Sequence, residues 1–278
     1  MFWLRTLYRL MSEELVELAR RASALAMLRE GPLDRQELQE RLAVSRPTVH
    51  RFTRAFEDRG LVERPEGRLA LTPMGEIVAE AVTEFRRTVR TARRVEPLFE
   101  VVPECDPAFV REAFADATVT TAEPGDPYGG VRQFMTIVEG SDTLRGIDPA
   151  AINPLHLDDL HARIVDGMET DAVFLPEVVE SLVESNPERA REAFESGNLT
   201  LRTHDDIPFG VTLCDDRIGV GIYDEDTGLL ETCIDTPSPA AREWAEDVYA
   251  EYRDQSTPLA EHPELSELLP VETTANDR

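Results

Sequence analysis

The chain has 278 residues, and its 29 basic side chains are outnumbered by 55 acidic ones, which gives a formal net charge of −26. All 29 basic residues are Arg, because the sequence contains no Lys. The absence of Lys excludes Walker-type phosphate loops, Schiff-base enzymes, kinase-type sites and phospholipase D centres built on His and Lys. No run of 18 apolar residues occurs, so we expect no membrane-spanning helix.

The acidic, Lys-free composition resembles that of proteins from salt-accumulating haloarchaea. Carboxylates hold water and cations, and their mutual repulsion is screened when the Debye length falls to about 3 Å at 1 M salt. A GC-rich genome that encodes Arg in place of Lys is the alternative. Cys105, Cys214 and Cys233 form no CxxC pair, which indicates a reducing cytoplasm.

The charge is divided unevenly along the chain. Residues 1–94 contain 18 Arg and 14 acidic residues, a net charge of +4, whereas residues 95–278 contain 11 Arg and 41 acidic residues, a net charge of −30. An acidic chain that keeps its first third basic favours contact between that third and a polyanion. The alternative is that Arg serves only the solubility of short helices.

Apolar spacing, caps and helix breakers predict three helices in the first 60 residues. Asp34 followed by Glu37 forms an acidic variant of the capping box and opens the second helix, and Ser45 is the expected cap of the third. The predicted helices are residues 12–30, Arg35 to Leu42 and Arg46 to about Arg59.

A hairpin and a long helix complete this third of the chain. Leu61–Arg64 and Arg68–Leu71 flank a Pro-Glu-Gly turn, after which Thr72 caps a helix that begins at Pro73. This order predicts a winged helix-turn-helix. The stretch ELQERLAVSRPTVHRFTRAFEDRGLVERPEGRLALTPMGE, residues 37–76, resembles the winged-helix regulators of bacteria and archaea.

The third helix is the expected recognition helix, because Val49, Phe52 and Phe56 turn inward and leave a basic outer face. Arg46 and Arg51 suit guanine edges, and His50 suits a base edge or phosphate. The predicted DNA-binding residues are Ser45, Arg46, Thr48, His50, Arg51, Arg54, Arg64 and Arg68. Two alternatives stay open: each Arg belongs to a solvated helix face, or the winged helix binds protein.

The long helix from Pro73 carries a heptad-like apolar seam that predicts a homodimer contact. The alternative is that the seam packs on the first helix of the same chain. Its members are Met74, Val78, Ala81, Phe85, Thr88, Ala92 and Val95.

Four segments are predicted. We assign 11–96 to the winged helix-turn-helix with its long connecting helix, 97–106 to a Pro-marked linker, 107–255 to an acidic α/β sensor domain and 256–278 to a loose tail. Residues 1–10 are expected to be either a misassigned extension or an amphipathic lead-in to the first domain. In the sensor domain, alternating helices and strands followed by four consecutive strands predict a mixed sheet with helices on its faces, an α+β or α/β fold.

The sensor region resembles that of archaeal winged-helix regulators related to the methanogenesis-regulator family. The stretches that carry the resemblance are DAVFLPEVVESLVESNP, LRTHDDIPFGVTLCDDRIGVGIYDEDTGLLETCIDT and AREWAEDVYAEYRD. The resemblance implies a domain that binds an effector and adjusts DNA binding. It also implies a layout similar to phospholipase-D-like modules, which need not be catalytic.

We expect no enzyme activity, no cofactor and no metal site. His156 and His161 are five residues apart, unlike an i, i+4 metal pair, and no GxSxG or Cys/His signature occurs. An effector site is expected at the strand ends, where Arg suits a carboxylate or phosphate ligand. Its predicted residues are Tyr128, Arg132, Arg145, His161 and Tyr223.

The sequence therefore predicts a cytoplasmic, dimeric transcription regulator whose partners are double-stranded DNA and a small effector. The alternative is a winged-helix module of the transcription machinery that binds protein and does not read DNA. A hydrolase is disfavoured by the missing motifs.

Overall fold

A computed structural model describes residues 13–102, 104–150, 154–224, 227–262 and 264–265. The predicted extension, residues 1–10, lies outside these ranges. The chain divides into two compact units, Met1–Arg90 and Thr91–Arg278. None of the helices in the described ranges combines the length and the apolar character needed to cross a bilayer.

The first unit is a winged helix-turn-helix, as predicted. Its core contains Leu25, Leu38, Val49, Phe52 and Phe56, all fully or almost fully buried. The predicted first helix is interrupted by a turn at residue 21. The helices are α1 (residues 13–20), α2 (Ala22–Glu30), α3 (Arg35–Leu42), α4 (Arg46–Asp58) and the first part of α5 (Pro73–Arg94), and the hairpin strands are β1 (Val62–Glu63) and β2 (Ala70–Leu71).

Side-chain caps were predicted at the starts of α3 and α4, and only the cap of α3 forms. Asp34 accepts hydrogen bonds from the backbone of residues 36 and 37, and Glu37 accepts one from the Asp34 backbone at 2.6 Å, which completes the capping box. The predicted side-chain cap at Ser45 is wrong, because its hydroxyl lies 2.9 Å from the Thr48 hydroxyl instead.

The wing is shorter than expected, with two residues in each strand. Its tip is a 3-10 turn, Pro65–Gly67, in which Glu66 and Gly67 both have positive φ angles, +53° and +85°. The helix α5 begins against the hairpin, where Thr72 Oγ1 accepts from the Gly75 backbone at 3.0 Å. A Cβ at Gly75 would lie 1.9 Å from the carbonyl oxygen of Leu61, so only glycine fits there.

The second unit is built on one mixed sheet with strand order β10-β6-β5-β4-β7-β8-β9-β3. The pairs β4–β5 and β5–β6 are parallel, and the other neighbours are antiparallel. The strands are β3 (Thr118–Thr121), β4 (Thr143–Asp148), β5 (Glu169–Phe174), β6 (Leu199–Thr203), β7 (Gly210–Cys214), β8 (Ile218–Tyr223), β9 (Leu230–Thr236) and β10 (Thr257–Pro258).

Helices cover both faces of this sheet. One face packs on α6, α7 and α12 around Val211, Val220 and Ile234, and the other packs on α8 to α11. The helices are α6 (Leu98–Val101), α7 (Pro107–Ala113), α8 (Gly129–Val138), α9 (Pro154–Val165), α10 (Pro176–Ser185), α11 (Pro187–Glu195) and α12 (Pro239–Gln255). The predicted mixed α/β fold is confirmed.

The segments predicted as linker and loose tail are partly packed. Leu98 of the predicted linker is fully buried in the core of the second unit. Thr257 pairs with Thr203 in the sheet, and Leu259 is buried beside α10. Proline interrupts these segments, but some of their apolar residues are buried in the second unit. Composition therefore predicted more exposure than the structure shows.

Candidate nucleic-acid interface and effector site

The outward face of α4 is polar, basic and accessible. Val49, Phe52, Thr53 and Phe56 are buried and fix the orientation of α4, which leaves the opposite side of the helix facing solvent. Of the predicted DNA-binding residues on this segment, Ser45, Arg46, His50, Arg51 and Arg54 are exposed and Thr48 is half-buried.

The charge on this face is largely uncompensated. Residues 46–56 include no acidic residue. Within the described part of the chain, Arg46 and Arg51 make no ion pair, and Arg54 lies 4.0 Å from Asp58. Two guanidinium groups on the N-terminal half of α4 are therefore free to contact an anion or a base edge.

His50 lies in this cationic environment. Its pKa is below the ordinary value, first because of desolvation and then because of three neighbouring guanidinium groups. Those groups belong to Arg35, Arg46 and Arg64. A phosphate placed here meets several positive charges at once.

Arg35 is a candidate interface residue that sequence reasoning missed. It is the first residue of α3, and its Nε donates to Thr53 Oγ1 on α4 at 3.2 Å. Arg35 also lines a shallow concavity with His50, Arg51 and Arg54. The sequence signal that could have indicated Arg35 was its position directly after the Asp34 cap, at the end of α3 that contacts α4.

The two wing arginines both have partners within the chain, and their contact with DNA stays a prediction. Arg64 forms an ion pair with Glu57. Arg68 bonds to Glu37 at 2.8 Å and to the Pro32 carbonyl oxygen at 2.8 and 3.2 Å. Arg68 therefore holds the hairpin against the start of α3, and the wing contributes less free positive charge than predicted.

The apolar seam of α5 differs in register from the prediction. Met74, Ile77 and Phe85 are strongly exposed, at 49%, 71% and 60%. Val78 instead packs on the first unit's core, and Val95 is fully buried in the second unit. We call the exposed residues Met74, Ile77 and Phe85 the α5 stripe. Compared with the predicted seam, this stripe includes Ile77 in place of Val78 and ends before Val95.

The five predicted effector residues do not form one site. Arg145 lies on the sheet face covered by α12, 3.3 Å from Glu246, whereas His161 lies on α9 over the opposite face. Arg132 forms an ion pair with Asp126, and Tyr128 is exposed at the start of α8. Because alternate residues of a strand point to opposite faces, Arg145 cannot join the others.

Tyr223 contacts Asp148, a residue that the sequence did not single out. Its hydroxyl donates to Asp148 Oδ2 at 2.7 Å across β7. Gly210 makes this possible, because a Cβ there would lie only 3.1 Å from the Tyr223 hydroxyl. Desolvation raises the pKa of Asp148 to about 6, although hydrogen bonds from Tyr223 and the Ala150 backbone oppose the shift.

Asp148 and His161 both line an apolar cavity of about 130 Å³ on this face. The cavity lies between β4 to β7 and the helices α9, α10 and α11. No local pattern in the sequence indicates this cavity, because its walls come together only through the order of the strands.

Comparison with known families identifies both parts of the chain. Residues 127–255 match the family described as the methanogenesis regulatory protein FilR1, middle domain, and residues 10–94 match the HVO_A0261 N-terminal domain. Each match covers less than half of the chain, and the two matched segments do not overlap. We refer to residues 127–255 as the FilR1-type domain. No curated protein matches the chain.

Solved structures are similar at a greater distance. TrmBL2, described as an archaeal chromatin protein with a novel mode of DNA binding, is 16% identical over 87% of this chain and 93% of its own, with a TM-score of 0.42. Nuc, a phospholipase D family member from Salmonella typhimurium, is 15% identical over 51% of this chain and 98% of its own, with a TM-score of 0.40.

Other reactive side chains of the FilR1-type domain have structural partners. His204 Nδ1 accepts from the Asp206 backbone at 3.1 Å. Burial raises the pKa of Cys214 to about 11 and that of Cys233 to about 12, so both thiols are poor nucleophiles. Among the described residues, no group of three or more His, Cys, Asp or Glu is arranged to hold a metal.

Proposed function

We propose that the chain is a cytoplasmic, sequence-specific DNA-binding transcription regulator that acts as a homodimer and carries no catalytic activity. The observation that best supports this proposal is the outward face of α4, where Arg46, His50 and Arg51 are exposed on a winged helix-turn-helix. In this fold the recognition helix enters the major groove and reads base edges from its N-terminal half.

The distribution of charge supports specific rather than general DNA binding. A chain with a net charge of −26 repels DNA overall, and binding through counterion release weakens with a log–log slope near −0.9 for each neutralised phosphate. Contacts from Arg46 and Arg51 to guanine edges depend on base identity and keep their value in salt. We therefore expect a small, specific interface that works in a salt-rich cytoplasm.

A homodimer is the arrangement that the α5 stripe favours. Met74, Ile77 and Phe85 expose apolar surface along one helix, and such surface is normally covered by a partner. A twofold dimer presents two copies of α4, and a duplex then offers two half-sites about one helical turn apart. Doubling the interface compensates for the few phosphate contacts of each copy.

The FilR1-type domain is the proposed effector sensor. The family takes its description from a regulatory protein, and the domain contains a cavity next to the Asp148–Tyr223 pair. We propose that effector binding in this domain adjusts DNA binding by the winged helix.

A protein-binding winged helix is the second candidate, and the wing supports it. Glu63 and Glu66 are exposed near the tip, while Arg64 is paired with Glu57. A wing with this charge suits a protein partner better than a phosphate backbone.

Sequence selection from a randomised duplex pool tests the proposal. The full chain in 2 M KCl is expected to enrich a twofold-symmetric motif, and an Arg111→Ala variant, altered at an exposed site in the second unit, is expected to enrich the same motif. Enrichment of no motif by either protein contradicts the proposal and favours the protein-binding candidate.

A further inference from the structure

The cavity of the FilR1-type domain has the size and lining of a small-molecule site. Its volume is about 130 Å³, and most of its wall is apolar, including Leu160, Ile164, Phe174 and Leu201. An apolar cavity of roughly 150 Å³ is large enough to hold benzene. The space therefore fits one aromatic ring or a branched group of similar size.

Most polar groups at the wall already have partners. His161 Nε2 lies 3.1 Å from the Arg189 carbonyl oxygen, and the Arg189 guanidinium pairs with Asp158. Thr170 Oγ1 donates to the Met168 carbonyl oxygen at 3.3 Å. Asn186 and Thr212 also line the wall, and within the described residues neither side chain forms a hydrogen bond, whereas the contacts above engage His161, Arg189 and Thr170.

Asp148 differs from them because it can accept more hydrogen bonds. The Tyr223 hydroxyl donates to one carboxylate oxygen at 2.7 Å, and the Ala150 backbone donates to the other at 2.9 Å. A carboxylate has about four acceptor positions, so acceptor capacity remains. Within the described residues Asp148 has no cationic partner, and its pKa of about 6 agrees with a carboxyl group in need of a further donor.

We propose that this cavity binds a compact, single-ring apolar molecule that carries one hydrogen-bond donor, with the ring among the side chains of α9 to α11 and the donor directed to Asp148. This inference rests on the proposed function, since it names the chemical class of the effector. It differs from the sequence expectation of a carboxylate or phosphate ligand, because an anion would face the carboxylate of Asp148.

Ligand-observed NMR titration of the full chain tests the inference with two probes. Benzyl alcohol has the ring and the donor, whereas benzoate has the ring and a negative charge. We expect saturable binding of benzyl alcohol at pH 8 and at least tenfold weaker binding of benzoate. Equal binding of the two, or binding of neither, overturns the inference.

Three variants test whether benzyl alcohol binds in this cavity. Ala193→Phe fills the cavity and is expected to abolish benzyl alcohol binding, whereas Ala162→Phe, at an exposed position of α9, is expected to leave it unchanged. Asp148→Asn keeps the cavity open, and we expect it to weaken binding several-fold, which provides a second test if Ala193→Phe does not fold. Unchanged binding in Asp148→Asn, or in folded Ala193→Phe, overturns the assignment.

DNA binding by the ligand-free chain is measured in parallel. Specific DNA binding without binding of either probe overturns the ligand class and leaves the proposed function standing. Probe binding without specific DNA binding overturns the proposed function instead.

Discussion

Arg35 Nε lies 3.2 Å from Thr53 Oγ1, and this contact joins the first helix of the helix-turn-helix to the second. Thr53 is fully buried among the side chains that fix α4, whereas Arg35 reaches the concave surface beside His50. One hydrogen bond thus links the packing of the domain to the charge of its proposed DNA-binding face.

Replacement of Thr53 by Val keeps the shape of the side chain but removes this contact, together with the hydrogen bond from Thr53 Oγ1 to the His50 carbonyl oxygen at 3.3 Å. We expect the free energy of unfolding to fall by about 1–3 kcal/mol, since each hydrogen bond contributes about 0.5–1.5 kcal/mol net. Chemical denaturation measures this change, with Thr136→Val, at an exposed position of α8, as the control. No loss of stability, together with unchanged DNA affinity, would show that the contact has no role.

DNA affinity should depend on pH through His50. In the free chain its pKa is below the ordinary value, so the ring is neutral near pH 7. A bound phosphate favours the charged ring, so binding takes up a proton and affinity rises as the pH falls from about 8 to about 6. His50→Gln should remove this dependence. A pH profile that is identical in the variant contradicts the placement of His50 at the interface.

Asp148 makes the stability of the FilR1-type domain depend on pH. Its folded-state pKa of about 6 is above the ordinary 3.8, so the folded state holds the proton more tightly. The stabilisation is present below about pH 4 and is lost as the pH rises through about 6.

Asp148→Asn should therefore raise stability at pH 8 by roughly 1–3 kcal/mol and have little effect at pH 4. Thermal unfolding in 2 M KCl measures the difference, and Asp206→Asn, at an exposed position, is the control. An equal effect of Asp148→Asn at both pH values would mean that its carboxyl group does not have a raised pKa.

The α5 stripe predicts the oligomeric state. Ile77→Glu places a charge on the most exposed apolar position and should convert the dimer to a monomer in sedimentation equilibrium. Leu229→Glu alters a similarly exposed apolar residue in the second unit and should leave the dimer intact. A wild-type monomer, or a dimer that survives Ile77→Glu, contradicts this interface.

Local signals in the sequence predicted most of the helices and strands. The capping box at Asp34 and Glu37 marked the start of α3, and Thr72 followed by Pro73 marked the start of α5. In each case the residues that determine the element lie within it or at its end.

The effector site was not predictable in this way. Arg145 and Asp148 are three residues apart on β4, and the pleat directs them to opposite faces of the sheet. Which face encloses a cavity depends on strand order, and the insertion of β7 between β4 and β8 involves pairings distant in sequence. The pairing of Arg68 with Glu37 likewise joins residues 31 positions apart.

Sequence-specific DNA binding through α4 is the central claim, and the double variant Arg46→Ala, Arg51→Ala tests it most directly. Fluorescence anisotropy on the duplex selected by the wild-type chain, in 2 M KCl, should show affinity reduced roughly thirtyfold or more, since each guanine contact contributes about 1–3 kcal/mol. Arg111→Ala should bind like the wild type. Unchanged affinity and specificity in a folded double variant would contradict the assignment of α4 as the recognition helix.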